Sequence, residues 1–135
     1  IIYNTQNMAN TVQQTYEFKN VRASLVLTNS YVAGTVITDV ENRNQLVIIA
    51  DFTKGSSTSL EIKIEFLNGS VYSQEVFSAI SAGTSTDTLG EHTFTATGVY
   101  NIPVQIKCSA IKISAKCTGT VTNTLLTLDA VLAVA

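Results

Sequence analysis

Seven residues constrain the fold more than any others: Leu60-Glu61-Ile62-Lys63-Ile64-Glu65-Phe66. Side chains on a strand point alternately to opposite faces, so Leu60, Ile62, Ile64 and Phe66 share one side of the pleat and Glu61, Lys63 and Glu65 the other. A helix would scatter that apolar set around its circumference. The pattern predicts a half-buried strand of an antiparallel sheet, with Glu61, Lys63 and Glu65 on a solvated face. Asn68-Gly69 follows at once and leads into Val71-Tyr72-Ser73-Gln74-Glu75-Val76-Phe77. Asn and Gly tolerate the positive φ of a primed turn, so a hairpin is predicted here. With Ser70 the same residues spell an Asn-x-Ser glycosylation acceptor, but the turn reading is preferred, because a sequon matters only in a secreted chain.

The alternation recurs at Ile111-Lys112-Ile113-Ser114-Ala115-Lys116-Cys117, with Ile111, Ile113, Ala115 and Cys117 inward, and Thr118-Gly119-Thr120 reads as the turn that follows. Short strands are predicted over 16–19, 23–27 and 36–40. The apolar run over 46–52 suits a sheet centre, and further strands are expected over 92–97, 100–106 and 126–132. Pro103, the one proline, restricts its segment to a sheet edge or a strand start. Residues 78–90, rich in Ser, Thr, Ala and Gly, read as a surface loop and a candidate contact surface. Residues 1–14 carry many Asn and Gln without a period and read as an extended arm, ordered against a neighbouring subunit or not at all. Residues 15–135 then form one domain.

Composition agrees. Charged residues make up 13% of the chain, and its polar surface is built instead from 19 Thr and 12 Ser. Strands and turn signals recur at intervals of about 8 to 12 residues with no helical period, which marks an all-β antiparallel sandwich, with a jelly-roll connection as one option.

The same counts limit function. A formal charge of −2 leaves no basic excess to neutralise phosphates, so no nucleic-acid partner is expected. No apolar run approaches the roughly 18 residues that span a bilayer, no signal peptide is recognisable, and no membrane partner is expected. The chain starts at Ile1 rather than Met, as a processed product or a piece of a longer one would. His92 is the single histidine, which leaves no Cys/His set with zinc spacing, and Gly90-Glu91-His92-Thr93 contains no nucleophile elbow. His92 is expected to be a loop side chain or to begin a strand. Glu61 and Glu65, two alternations apart, are separated by about 13 Å, too far for a glycosidase pair on their own. In Lys54-Gly55-Ser56-Ser57 the lysine precedes the glycine, the wrong order for a phosphate loop. No catalytic, cofactor-binding or metal-binding residues are assigned, no cofactor is expected, and the chain is expected not to be an enzyme. Cys108 and Cys117 are expected to be two thiols behaving as small hydrophobes, Cys117 the better buried, with a bridge across a turn or an intermolecular contact as alternatives.

Three groups of residues carry a resemblance. Asp51-Phe52-Thr53-Lys54-Gly55-Ser56 with residues 59–66, Glu91-His92-Thr93-Phe94-Thr95-Ala96-Thr97-Gly98, and Ile111-Lys112-Ile113-Ser114-Ala115-Lys116 with Gly119-Thr120-Val121-Thr122 resemble small β-sandwich virion structural proteins of tailed bacteriophages. The likeness spans residues 50–132. It implies a structural component on or near the capsid: a decoration or auxiliary head protein, a head-fibre base, or a neck or tail piece. Such a role implies partners among other virion proteins, a homo-oligomer, and location in the virion after assembly in the host cytoplasm. No catalytic residues come with it. Two other readings suit a Thr-rich sandwich: a carbohydrate-binding or adhesive module using Tyr31, Tyr72 or Tyr100, and a subunit of an extracellular filament.

Overall fold

The computed structural model describes residues 16–106 and 108–134. The arm expected over 1–14 lies outside them. The two alternating segments find each other: β4 (Ser57–Asn68) pairs antiparallel with β10 (Ala110–Gly119), setting Ile64 opposite Ile113, Ile62 opposite Ala115 and Leu60 opposite Cys117. All six are buried. Beside β10 lies the short β2 (Val32–Ala33), and beside β4 lies β5 (Val71–Gln74), giving the order β2-β10-β4-β5. A further short strand, β8 (His92–Phe94), pairs with the N-terminal half of β4.

The second sheet has the order β1-β11-β3-β9, with β1 (Tyr16–Val26), β11 (Leu125–Ala133), β3 (Gln45–Thr53) and β9 (Gly98–Val104). Its inward residues, among them Ile48, Phe52, Leu128 and Ile102, join those of β4 and β10 in one buried cluster. The fold is all-β and antiparallel, two sheets over a shared core. Each sheet interleaves early and late strands of the chain, with β11 between β1 and β3 and β10 between β2 and β4. This interleaving is the jelly-roll connection. Apart from these sheets stands a two-stranded ribbon, β6 (Val76–Ser81) with β7 (Thr84–Leu89).

Several expectations shift. Residues 16–19 and 23–27 belong largely to one strand, β1, whose register against β11 slips between Asn20 and Arg22 and again before Leu25. Arg22 fills the irregularity: it is buried and donates to the carbonyls of Leu126 (3.2 Å), Leu25 (3.2 Å) and Val26 (3.0 Å). Residues 36–40 form no strand; Ile37 makes a lone bridge to Ile111, and Asp39 turns the chain at φ 58° so that Ile37 and Val40 both enter the core. The turn after β4 is centred on Gly69 and Ser70, because Asn68 pairs with Val71 and only Gly69 takes positive φ, at 68°. Gly119 ends β10 at a bulge, so the reversal comes later, where Asn123 has φ 56°. Pro103 lies on β9, an edge strand, as its missing N–H requires.

Candidate interaction surfaces

On the outer side of the β2-β10-β4-β5 sheet, the expected solvated face is partly covered. Lys116 stands opposite Glu61 and Lys112 opposite Glu65, the pairing of opposite charges that favours a ladder. Lys112 Nζ lies 3.7 Å and Lys63 Nζ 3.9 Å from Glu65 Oε1. Glu61 is only 9% exposed, which corrects its placement on a solvated face. Tyr31 arrives from the β1–β2 connection and lays its ring between two ammonium groups, Lys63 at 4.7 Å and Lys116 at 4.8 Å from the ring centre. Glu61 accepts hydrogen bonds from Ser59 Oγ (3.1 Å) and Thr118 Oγ1, while Tyr31 donates its hydroxyl to Glu91. Burial, then the Glu91 hydrogen bond and charge, then the charge of Glu61, push the Tyr31 phenol above its ordinary value of 10.0. Burial first, then Glu61, likewise push the Cys117 thiol above 9.0, against a partial lowering by a backbone hydrogen bond. Tyr72 carries Lys112 over its ring at 4.3 Å, and Tyr100 stacks on Phe94 at 4.2 Å and donates to the Ala96 carbonyl. All three tyrosines considered as sugar platforms are thus engaged within the chain.

The region expected to be a loop over 78–90 is largely the β6–β7 ribbon. Its tip is Ala82-Gly83, both at positive φ, 52° and 80°, the geometry of a two-residue primed turn. Every residue of both strands is exposed. One face of the ribbon presents Val76, Leu89 and Ile80, the last 79% exposed, together with Ser85 and the hydrogen-bonded pair Ser78 and Asp87. At its base the chain is clasped. Glu75 N donates to the Ile64 carbonyl at 3.0 Å, and Gly90 N donates to the Glu75 carbonyl at 2.7 Å. His92, the first residue of β8, places Nε2 2.8 Å from Glu75 Oε1, and its ring meets the edge of Phe77 at 5.1 Å. A Cβ at Gly90 would sit 3.0 Å from the Phe77 ring and 3.1 Å from the Glu75 carbonyl, so the ring would have to shift to admit one. His92 therefore braces the ribbon. Beside the clasp, a cleft of about 410 Å³ is lined by Phe66, Gln74, Glu75 and Gln105, among others.

The outer side of the β1-β11-β3-β9 sheet is different in kind. Register aligns Phe18 with Val131, Val131 with Val47, and Val47 with Pro103, one uncharged row across all four strands. Phe18 is 73% exposed. The adjoining row is Asn20, Asp129, Ile49 and Asn101, with Asn20 Nδ2 donating to Asp129 Oδ1 at 2.9 Å.

No family model matches the chain, and no curated protein matches it. Among solved structures it is similar to the crystal structure of SPBc2 prophage-derived protein YomS, with 16% identity and a TM-score of 0.45 over 90% of this chain and 96% of that one. That overlap is loose, and no functional residue is carried over from it.

The remaining candidates fall apart as sites. Among the described residues no group of three His, Cys, Asp or Glu is placed to hold a metal ion. No disulfide joins the cysteines: Cys117 is buried and Cys108 packs half-buried against the core. Gly55, at φ 56°, makes a tight turn against the Thr122 and Asn123 carbonyls, which a Cβ would strike at 2.3 and 2.5 Å; its role is close backbone approach. Arg22 and the Tyr31 cover were not singled out for these roles, since their contacts join segments far apart in sequence.

Proposed function

We propose that this chain is a non-enzymatic structural component of a bacteriophage virion, a capsid decoration, head-fibre, neck or tail protein that works through contacts between subunits. One observation carries the reading: a two-stranded ribbon exposed along its whole length, with Val76, Ile80 and Leu89 on one side. An isolated two-stranded hairpin is marginal in water, and its exposed apolar side chains gain stability when a neighbour covers them. The jelly-roll connection, common in viral capsid and lectin domains, and the resemblance over 50–132 support the same reading by analogy.

The test is incorporation. Mass spectrometry of density-banded particles from the producing bacterium should detect the chain in stoichiometric amount, and Ile80→Asp should fold normally yet be lost from particles. Absence of the wild-type chain from particles, with recovery in surface fibres or on a glycan column, would replace this reading with the filament or carbohydrate-binding one.

A further inference from the structure

We infer that the free edge of β6 pairs with the same edge of a second copy of this chain, antiparallel about a two-fold axis through Ser78, so that two ribbons join into one four-stranded sheet between subunits. The inference deepens the subunit-contact reading and rests on it.

Main-chain direction selects the register. In an antiparallel ladder a residue sends its N–H and its C=O to the same side, and successive residues alternate sides. Both ends of the ribbon fix that alternation. At the base Gly90 N donates to the Glu75 carbonyl, and at the tip the two-residue turn makes Ser81 and Thr84 the closing hydrogen-bonded pair. Phe77, Ala79 and Ser81 therefore bond to β7, while Val76, Ser78 and Ile80 direct their N–H and C=O groups away from it, along an edge where no described strand lies. A second copy turned about Ser78 sets Ser78 opposite Ser78 and Val76 opposite Ile80, and both groups of all three residues find partners. Any other two-fold register leaves some of them unpaired, so this edge is complementary to itself in one way.

Side chains agree with that register. Leu89 and Val76 stand side by side on one face, and Ile80 of the second copy continues their row, covering the residue most exposed on its own ribbon. Strand β6 has none of the lysine, proline or bulge that keeps an exposed edge from pairing, and no charged side chain. The matching register for β7 would centre on Asp87 and set two carboxylates opposite each other. With β6 at the joint, the Asp87 carboxylates stand three strand spacings apart, about 14 Å, beyond the screening length of about 8 Å in physiological salt. Each accepts a hydrogen bond from its own Ser78. The pairing also carries each tip, Ala82-Gly83, past Val76 to the base of the other ribbon. There lies the cleft of about 410 Å³, lined by Gln74, Glu75 and Val76 and by no described residue of β7, hence on the β6 side and open to a tip of two small residues.

Two measurements on the full chain decide. One short edge buries less than the roughly 1,200 Å² of a standard interface, so sedimentation velocity should show a monomer at about 10 µM and a dimer at about 1 mM. Ser78→Pro removes an N–H that the ribbon itself does not use, and Ile80→Asp puts a charge in the joint; both should stay monomeric at the higher concentration with amide protection of Phe77 and Ala79 retained. Opposed residues of a hydrogen-bonded pair lie about 5.5 Å apart at Cα, within disulfide range. Under diamide, Ser78→Cys chains should therefore link into covalent dimers, and Thr86→Cys chains, equally exposed but on the outer strand, should link no more than wild type. A wild type monomeric at about 1 mM, a dimer indifferent to both variants, equal linking at Thr86→Cys, or an open series of higher species each overturns the inference. A chain monomeric by both measures yet present in particles would give this edge to another virion protein and leave the virion reading standing; a dimer absent from particles would do the reverse.

Discussion

The two outer faces of the sandwich share a core and little else. Over β4 and β10 the outward residues are charged, paired across the ladder and roofed by Tyr31 and Tyr72. Over β11 and β3 they are mostly short, uncharged and half-buried, with Asp129 and Asp51 as the charged exceptions. A sheet face can be finished in two ways. One face is completed within its own chain by ion pairs and ammonium–ring contacts, which suits permanent exposure to water. The other leaves Phe18 bare at its edge, and such a face gains most by meeting another surface.

The largest expected effect breaks the comparison at its root, the pleat that separates inside from outside. Ile62→Asp or Ile113→Asp buries an unpaired charge and should abolish cooperative unfolding, a loss above about 4 kcal/mol. Thr127→Lys, on the outer side of the other sheet and opposite Asp51, should stay within about 0.5 kcal/mol in the same urea titration. Native-like stability in either isoleucine variant would show the pleat to be misassigned.

Next comes the contrast between the faces. Glu61→Ala leaves the Ser59 and Thr118 hydroxyls without their shared acceptor and Lys116 without its cross-strand partner, and should cost about 1–3 kcal/mol. Asp129→Ala removes one exposed hydrogen bond and should cost no more than about 0.5 kcal/mol. Equal losses in chemical denaturation would erase the distinction.

Alkaline pH acts on the β2-β10-β4-β5 sheet, through Tyr31 on its outer side and Cys117 in the core beneath it. Tyr31 and Cys117 both hold their protons more tightly in the folded chain than in the unfolded one, so their contribution is fully present below pH 9.0 and is lost as pH rises beyond it. Thermal unfolding should therefore be level on the acid side of that point and decline above it. Tyr31→Phe should flatten the decline; an unchanged slope would remove the phenol from the account.

The smallest effect concerns the ribbon tip. Ala82 sits at φ 52°, a conformation that favours Asn or Gly, so Ala82→Asn should stabilise the ribbon by up to about 1 kcal/mol. Slower amide exchange confined to β6 and β7 would register it, and faster exchange there would contradict it.

How much of this was legible depended on whether a residue answers to its neighbours in sequence or in space. The inner faces of β4 and β10 were readable because burial on one side imprints alternation, and Pro103 marked its edge. The β6–β7 ribbon was not, because neither of its faces is buried by the chain and no alternation is selected; Ala82-Gly83 also lacks the Asn or Asp that usually announces such a turn. Glu61 looked solvated because its cover, Tyr31, lies thirty positions away. The run at 46–52 suited a sheet centre, and β3 does lie between β11 and β9, with Val47 and Ile49 facing outward, half-buried. The Phe18-Val131-Val47-Pro103 row exists only through the pairing of four distant segments.

The base of the ribbon has one more consequence. β5 and β8 occupy the same side of β4, and the chain departs and returns where Gly90 N meets the Glu75 carbonyl at 2.7 Å and Gln74 Nε2 the Gly90 carbonyl at 3.1 Å. An excursion with its ends joined so closely can grow at little expense to the body, since each doubling of a flexible loop adds only about 0.6 kcal/mol of closure entropy. The jelly roll thus acts as a mount with one interchangeable fitting: a foreign peptide spliced between Ser81 and Thr84 would be carried outside the body of the fold, and whatever array these subunits build would present it at regular spacing.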